Sequence, residues 1–249
     1  MNQNRLDTPF GDIFFSGPPL NQGPLPAFFY FSLSAQESLF TDPYNQPIVA
    51  LNKKGIRCFS ITLPLHEKDA ANSPEENYRL NKEAVDAWKN EQNFLILFQS
   101  FIERVINSIH YLVENEIVVK EKIALGGLSR GALIAVHVLS KLSFAQVCVG
   151  FSPLTELHPH DLSLHKLGDI LAQKWIRFYI GNYDQRVGTK TCFECIEAWV
   201  ETARKQSVRS PRFELHLFPS IGHLGHGTPS NIFLDGAEYI AHHLSLESP

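Results

Sequence analysis

The residue in this 249-residue chain best placed to do chemistry is Ser129, at the centre of Gly127-Leu-Ser-Arg-Gly131. An apolar run, residues 123–125, leads into it, and Leu133, Val136 and Leu139 come after it at helical spacing. That pattern reads as strand, sharp turn, helix, with a hydroxyl at the apex. Glycine two residues to either side leaves room where a side chain would crowd so tight a turn. A serine hydroxyl is a weak nucleophile at neutral pH and needs a base within hydrogen-bond reach, itself oriented by a carboxylate. Downstream candidates are Asp184, in Gly181-Asn-Tyr-Asp-Gln-Arg-Val187, and His223, closing Phe218-Pro-Ser-Ile-Gly-His223. His226, in Gly225-His-Gly227, is the rival base, and Glu156, Asp161 and Asp169 are rival acids. His223 follows the preceding strand and Pro219, and Asp184 follows the strand that Gly181 ends, but on the residues alone the alternatives stay open. The competing reading of Ser129 is a helix N-cap, and that of Asp184 the same.

The elements that must hold these residues alternate along the chain. Residues 10–16 read as a short strand, and Gly17-Pro-Pro19 and Gly23-Pro24 punctuate the link to the next one. Ala27-Phe-Phe-Tyr-Phe31 is apolar throughout, as suits a central strand covered on both faces. Residues 32–36 read as loop, 47–54 as helix ending at Gly55, and 56–62 as strand. Residues 67–90 are polar and acidic with little periodicity. From 94 to 114, Phe94, Leu97, Phe98, Phe101, Ile102, Val105, Ile109 and Leu112 share one helical face. Strands are expected at 145–151, 175–181 and 213–218, and helices at about 191–205 and 233–244. Alternating strands and helices predict an α/β fold, a mostly parallel sheet with helices on both faces. Ligands bind such sheets at the carboxyl ends of the strands, where Ser129, Asp184 and His223 all fall.

Composition narrows the function classes. The formal charge of −4 and a pI near 6.3 give no reason to expect nucleic acid as a partner. No stretch approaches eighteen uninterrupted apolar residues, so no membrane span is expected. The first ten residues lack the apolar core of a secretory signal, and the expectation is a cytoplasmic, reduced protein. Cys58 and Cys148 fall in strands. Cys192-Phe-Glu-Cys195 falls within a helix rather than at a helix start, which argues against a redox or metal role. His158, His160 and His165 fit no ordinary zinc spacing, so no metal is expected.

Taken together, Gly127–Gly131, Gly181–Val187 and Phe218–His223, in the chain order Ser, Asp, His, resemble the α/β-hydrolase superfamily over about residues 26–245. The chain is similar to its esterase, dienelactone-hydrolase and prolyl-oligopeptidase side. The resemblance implies a single domain over 1–249 with a small lid-like insertion at 64–92. It implies nucleophile Ser129, acid Asp184 and base His223. An oxyanion hole would be formed by the Arg130 N–H and a second N–H from Leu33 or Ser34. Many members carry His-Gly where this chain has Ser32-Leu33, so the second donor is the point of departure. His66 either lines the pocket or is a solvated loop residue. The Arg130 side chain either meets a substrate carboxylate or makes an ordinary ion pair. The implied activity is serine hydrolysis of a small or medium carboxylic ester, with no cofactor. Amide hydrolysis of the oligopeptidase kind, or a hydrolase-fold binding protein without turnover, are the alternatives.

Overall fold

The computed structural model describes residues 4–66, 82–84, 86–158 and 160–245. Eight strands form one sheet: β1 (Arg5–Thr8), β2 (Gly11–Ser16), β3 (Leu25–Phe31), β4 (Arg57–Ser60), β5 (Val118–Leu128), β6 (Val147–Phe151), β7 (Trp175–Gly181) and β8 (Phe213–Phe218). Their spatial order is β1-β2-β4-β3-β5-β6-β7-β8. β2 runs antiparallel to both its neighbours, and the six strands from β4 to β8 in that order are mutually parallel. Helices α1 (Ala35–Phe40), α2 (Gln46–Asn52), α3 (Phe94–Glu114), α4 (Arg130–Lys141), α5 (Thr189–Lys205) and α6 (Ser230–Ser245) cover the sheet.

Period-two alternation in β3 feeds two cores at once. Ala27, Phe29 and Phe31 join the cluster under α3, α4 and α5, while Phe28 and Tyr30 join the one under α2 and α6. All five have no exposed surface, and each buried phenylalanine contributes roughly 1.5–3 kcal/mol. In α3 the buried stripe runs Phe94, Phe98, Phe101, Ile102, Val105, Ile109, Leu112. Leu97, expected on that face, lies at its flank and is 39% exposed.

Two further differences from the sequence reading have local causes. Residues 35–40, where a loop was expected at 32–36, form α1, because Ser34 and Glu37 make a reciprocal capping box. β1, not anticipated, is a polar edge strand whose Arg5 pairs with Asp12 on β2 at 2.8 Å. The lid-like insertion expected at 64–92 lies in part outside the described residues, at 67–81 and 85. Of its described part, Trp88 is wholly buried and donates to the Pro64 carbonyl at 2.7 Å.

Register sets up the site. Phe31 is paired with Gly127, Leu128 with Phe151, Phe151 with Tyr179, and Gly181 with Phe218. The strands therefore end level, and the segments that leave them converge on one edge.

Candidate active site

Ser129 sits between the last residue of β5 and the first of α4, with φ 56° and ψ −115°. That backbone region is unfavourable for a side-chain-bearing residue and costs on the order of 1–3 kcal/mol. Neighbouring segments hold it there. The Ser129 N–H donates to the Phe151 carbonyl at 2.8 Å, and its carbonyl accepts from Ala132 and Leu154, both at 3.1 Å. The flanking glycines are steric requirements. A Cβ on Gly131 would lie 1.8 Å from the Phe31 carbonyl oxygen, and one on Gly127 would lie 2.2 Å from the Gly131 carbonyl carbon.

Asp184 leaves β7 through Asn182 and Tyr183. Its side chain has no exposed surface. Oδ1 accepts the N–H groups of Arg186 at 2.9 Å and Val187 at 3.1 Å, which leaves Oδ2 for another donor. The Asp184 N–H is itself held by Thr189 Oγ1 at 2.9 Å, and that hydroxyl donates to the Gly181 carbonyl. Beneath lies Cys192, whose thiol is pushed up to about 12, first by burial and then by the Asp184 charge.

The imidazole that completes the arrangement belongs to His226. Its Nδ1 is 2.7 Å from Asp184 Oδ2 and its Nε2 is 3.0 Å from Ser129 Oγ. A carboxylate only accepts, so Nδ1 carries the proton and Nε2 offers its lone pair to the serine hydroxyl. The ring is 8% exposed. His223, the expected base, is exposed and has no such contact. The physical reason is an extra turn in the loop after β8. Gly222 (φ 76°), Leu224 (φ 54°) and Gly225 (φ 74°) all take left-handed backbone, and Ile221 bridges to Gly227. The Gly227 N–H donates to the Ile221 carbonyl at 2.7 Å, and the Gln185 N–H to the Leu224 carbonyl at 2.9 Å. The chain thus folds back on itself and carries position 226, not 223, to the serine. The signal was present in the alternation Gly222-His-Leu-Gly225-His-Gly227.

The expected oxyanion donors are only partly free. The Arg130 N–H is the first donor of α4 and lies beyond intrahelical bonding. The Ser34 N–H is committed: the Glu37 carboxylate accepts it at 3.2 Å and the Ser34 hydroxyl at 2.7 Å. This removes Ser34 from the pair. The Leu33 N–H meets only Ser38 Oγ at 3.3 Å, a bond already shared with the Ser32 N–H at 3.1 Å.

His66 is buried rather than solvated. Its Nδ1 donates to the Pro64 carbonyl at 3.0 Å, so Nε2 accepts from Arg130 Nη2 at 2.9 Å. Burial and then the Arg130 charge push this imidazole down to about 3, against the opposing bond to Pro64. The Arg130 guanidinium lies 5.0 Å from the centre of the Trp88 ring. Trp88 gives no signal in the sequence because it sits in a stretch without periodicity.

The rival acids are engaged elsewhere. Glu156 faces His158 at 3.4 Å and His165 at 3.3 Å, Asp161 pairs with Lys166 at 2.7 Å, and Asp169 accepts from the Ile170 N–H. The His160 Nε2 donates to the Trp88 carbonyl at 2.7 Å. Among the described residues no group of three His, Cys, Asp or Glu side chains is disposed to hold a metal ion, and no helix is long and apolar enough to cross a membrane. All four cysteines are free and buried.

No protein-family model matches the sequence, and no curated protein is significantly similar to it. Solved structures are similar in fold. TT1662 from Thermus thermophilus is 16% identical, with a TM-score of 0.66 over 98% of each chain. A cold-adapted esterase from an Arctic intertidal metagenomic library is 13% identical, with a TM-score of 0.62 over 96% of this chain and 91% of that one. A 2,6-dihydroxy-pseudo-oxynicotine hydrolase is 14% identical, with a TM-score of 0.61 over 97% of this chain and 67% of that one. Identities this low carry an architecture and leave the substrate open. With the strand order, the antiparallel second strand and the turn at Ser129, they place the chain in the α/β-hydrolase fold.

Proposed function

We propose that this protein is a serine hydrolase that transfers the acyl group of a small or medium carboxylic ester to water. The observation that supports this reading is the unbroken hydrogen-bonded line from Ser129 Oγ through His226 to Asp184, at 3.0 and 2.7 Å.

Each residue then has a defined role in the reaction. His226 Nε2 takes the hydroxyl proton as Ser129 Oγ attacks the ester carbonyl. The resulting imidazolium is stabilised by Asp184, whose position is fixed by two backbone N–H groups. Negative charge on the carbonyl oxygen is met by the Arg130 N–H. The Leu33 N–H is the second donor once it exchanges its long bond to Ser38 for the oxyanion. His226 then gives its proton to the leaving alcohol, and a water molecule repeats the cycle on the acyl-serine.

The test is covalent labelling by a fluorophosphonate, read by intact-mass and peptide mass spectrometry. The wild-type chain takes up one phosphonyl group on Ser129, and Ser129→Ala takes up none. A folded wild type that stays unlabelled rejects the hydrolase reading in favour of a binding protein. Chromogenic esters and anilides of matched acyl length then separate ester from amide hydrolysis, with the ester expected to turn over faster.

A further inference from the structure

We infer that the Arg130 guanidinium is the receptor for a carboxylate on the substrate, so that the preferred substrates are esters carrying a second, anionic carboxyl group. This deepens the serine-hydrolase reading and rests on it.

An unbalanced charge is the starting point. Arg130 is the residue after Ser129, and only 9% of it is exposed. A buried guanidinium is ordinarily paired with a carboxylate whose two oxygens match its planar fork. Here Nη2 has a neutral partner, His66 Nε2 at 2.9 Å, and the Trp88 ring lies at 5.0 Å. Nη1 is buried and has no hydrogen-bond partner. Among the described residues, Arg130 takes part in no ion pair. His66 cannot compensate the charge, because its one proton is held on Nδ1 by the Pro64 carbonyl. It fixes the plane of the fork and leaves Nη1 free.

The charge of a second cation, Arg186, is felt at the same guanidinium. The Arg186 N–H is bound to the triad carboxylate, and its exposed side chain makes no ion pair among the described residues. Burial, and then the Arg186 charge, push Arg130 down to about 9, so it stays cationic at neutral pH. Asp184, the nearby anion of the triad, is already committed to His226 and to two backbone N–H groups. The guanidinium next to Ser129 therefore carries a buried positive charge that no carboxylate among the described residues pairs with. An entering carboxylate would satisfy Nη1, balance the buried charge and orient the ester carbonyl toward Ser129.

The experiment compares two esters of equal acyl length on the full chain: 4-nitrophenyl hydrogen glutarate, with a free carboxylate, and 4-nitrophenyl valerate, without one. Wild type is expected to prefer the glutarate in kcat/KM by about tenfold or more. In Arg130→Gln the ratio of the two should fall by about ten- to hundredfold, mainly through KM for the glutarate. Wild-type preference for the valerate overturns the proposal. So do equal losses on both esters, which would make Arg130 a support of the turn or of the oxyanion. Calorimetric binding of free glutarate, against valeramide, separates this inference from the hydrolase reading and does not depend on a folded variant. Glutarate binding to wild type without fluorophosphonate labelling of Ser129 keeps the anion site and rejects the enzyme. Labelling of Ser129 without glutarate binding does the reverse.

Discussion

Replacing Gly131 by alanine tests whether the turn at Ser129 is as sterically closed as its geometry implies. The added methyl carbon would begin 1.8 Å from the Phe31 carbonyl oxygen and 2.4 Å from its carbonyl carbon. Ordinary contact requires about 3.4 Å, so α4 and β3 must separate by roughly 1.5 Å at that point. Both obstructing atoms are backbone, in a strand paired on each side and buried on each face. No rotamer change relieves the overlap. Overpacking of this kind costs about 1–3 kcal/mol, which for a chain of this size lowers Tm by roughly 3–10 °C. The movement falls on the first turn of α4, two residues from Ser129. A displacement of about 1 Å at a reacting group costs on the order of 10²-fold in rate. The assays are a thermal melt and the second-order rate of fluorophosphonate labelling. A Gly131→Ala protein that melts within about 1 °C of wild type and labels at the same rate would refute the closed-turn reasoning.

Other outcomes are expected from the same structure. Asp184→Asn keeps an oxygen for the Arg186 and Val187 N–H groups but presents a donor to His226 Nδ1. Ester turnover should fall by about 10⁴-fold while the melting temperature changes little. His66 is held far below its unfolded value, so above pH ~6.5 it is neutral in both states and contributes no pH dependence. As pH falls through 6.5 toward 3 the unfolded state binds a proton that the folded state refuses, and stability declines, by on the order of 2–3 kcal/mol at pH 4.5. His66→Gln, which still offers an oxygen to Arg130, should flatten that acid limb in urea titrations. Lys174 Nζ donates to the carbonyls of Leu142, Ser143 and Ala145 at 3.0, 3.0 and 2.6 Å, stapling the end of α4 to the approach to β6. Lys174→Met should cost about 1.5–3 kcal/mol in the same titration and leave ester hydrolysis unchanged.

Much of the architecture was legible because burial leaves a periodic trace. The apolar runs of β3 and β7 and the stripe of α3 each specify a covered element, and two glycines mark the strained turn at Ser129. β8 alternates in sequence, yet at the sheet edge it buries only Phe218 and leaves Leu217 59% exposed. The features that escaped did so for physical reasons. β1 is a polar edge strand held by one neighbour, so nothing in its composition demands a strand. The helix α1 was readable in the Ser34–Glu37 capping box, yet the segment is too short for periodicity to show it. The choice of imidazole turned on loop conformation. Spacing from a strand favours His223 only if the chain runs on directly, whereas three left-handed residues between 222 and 225 insert a turn. The partnership of Arg130 with His66 and Trp88 joins side chains from three separate segments, and local spacing carries no sign of it.

The central claim is that the base acting on Ser129 is the imidazole at position 226. Initial rates of 4-nitrophenyl ester hydrolysis by His226→Ala and His223→Ala, each compared with wild type, test it directly. The account predicts that His226→Ala loses about 10³-fold or more while His223→Ala stays within about threefold of wild type. The opposite ranking, with His223→Ala inactive and His226→Ala unimpaired, would contradict it.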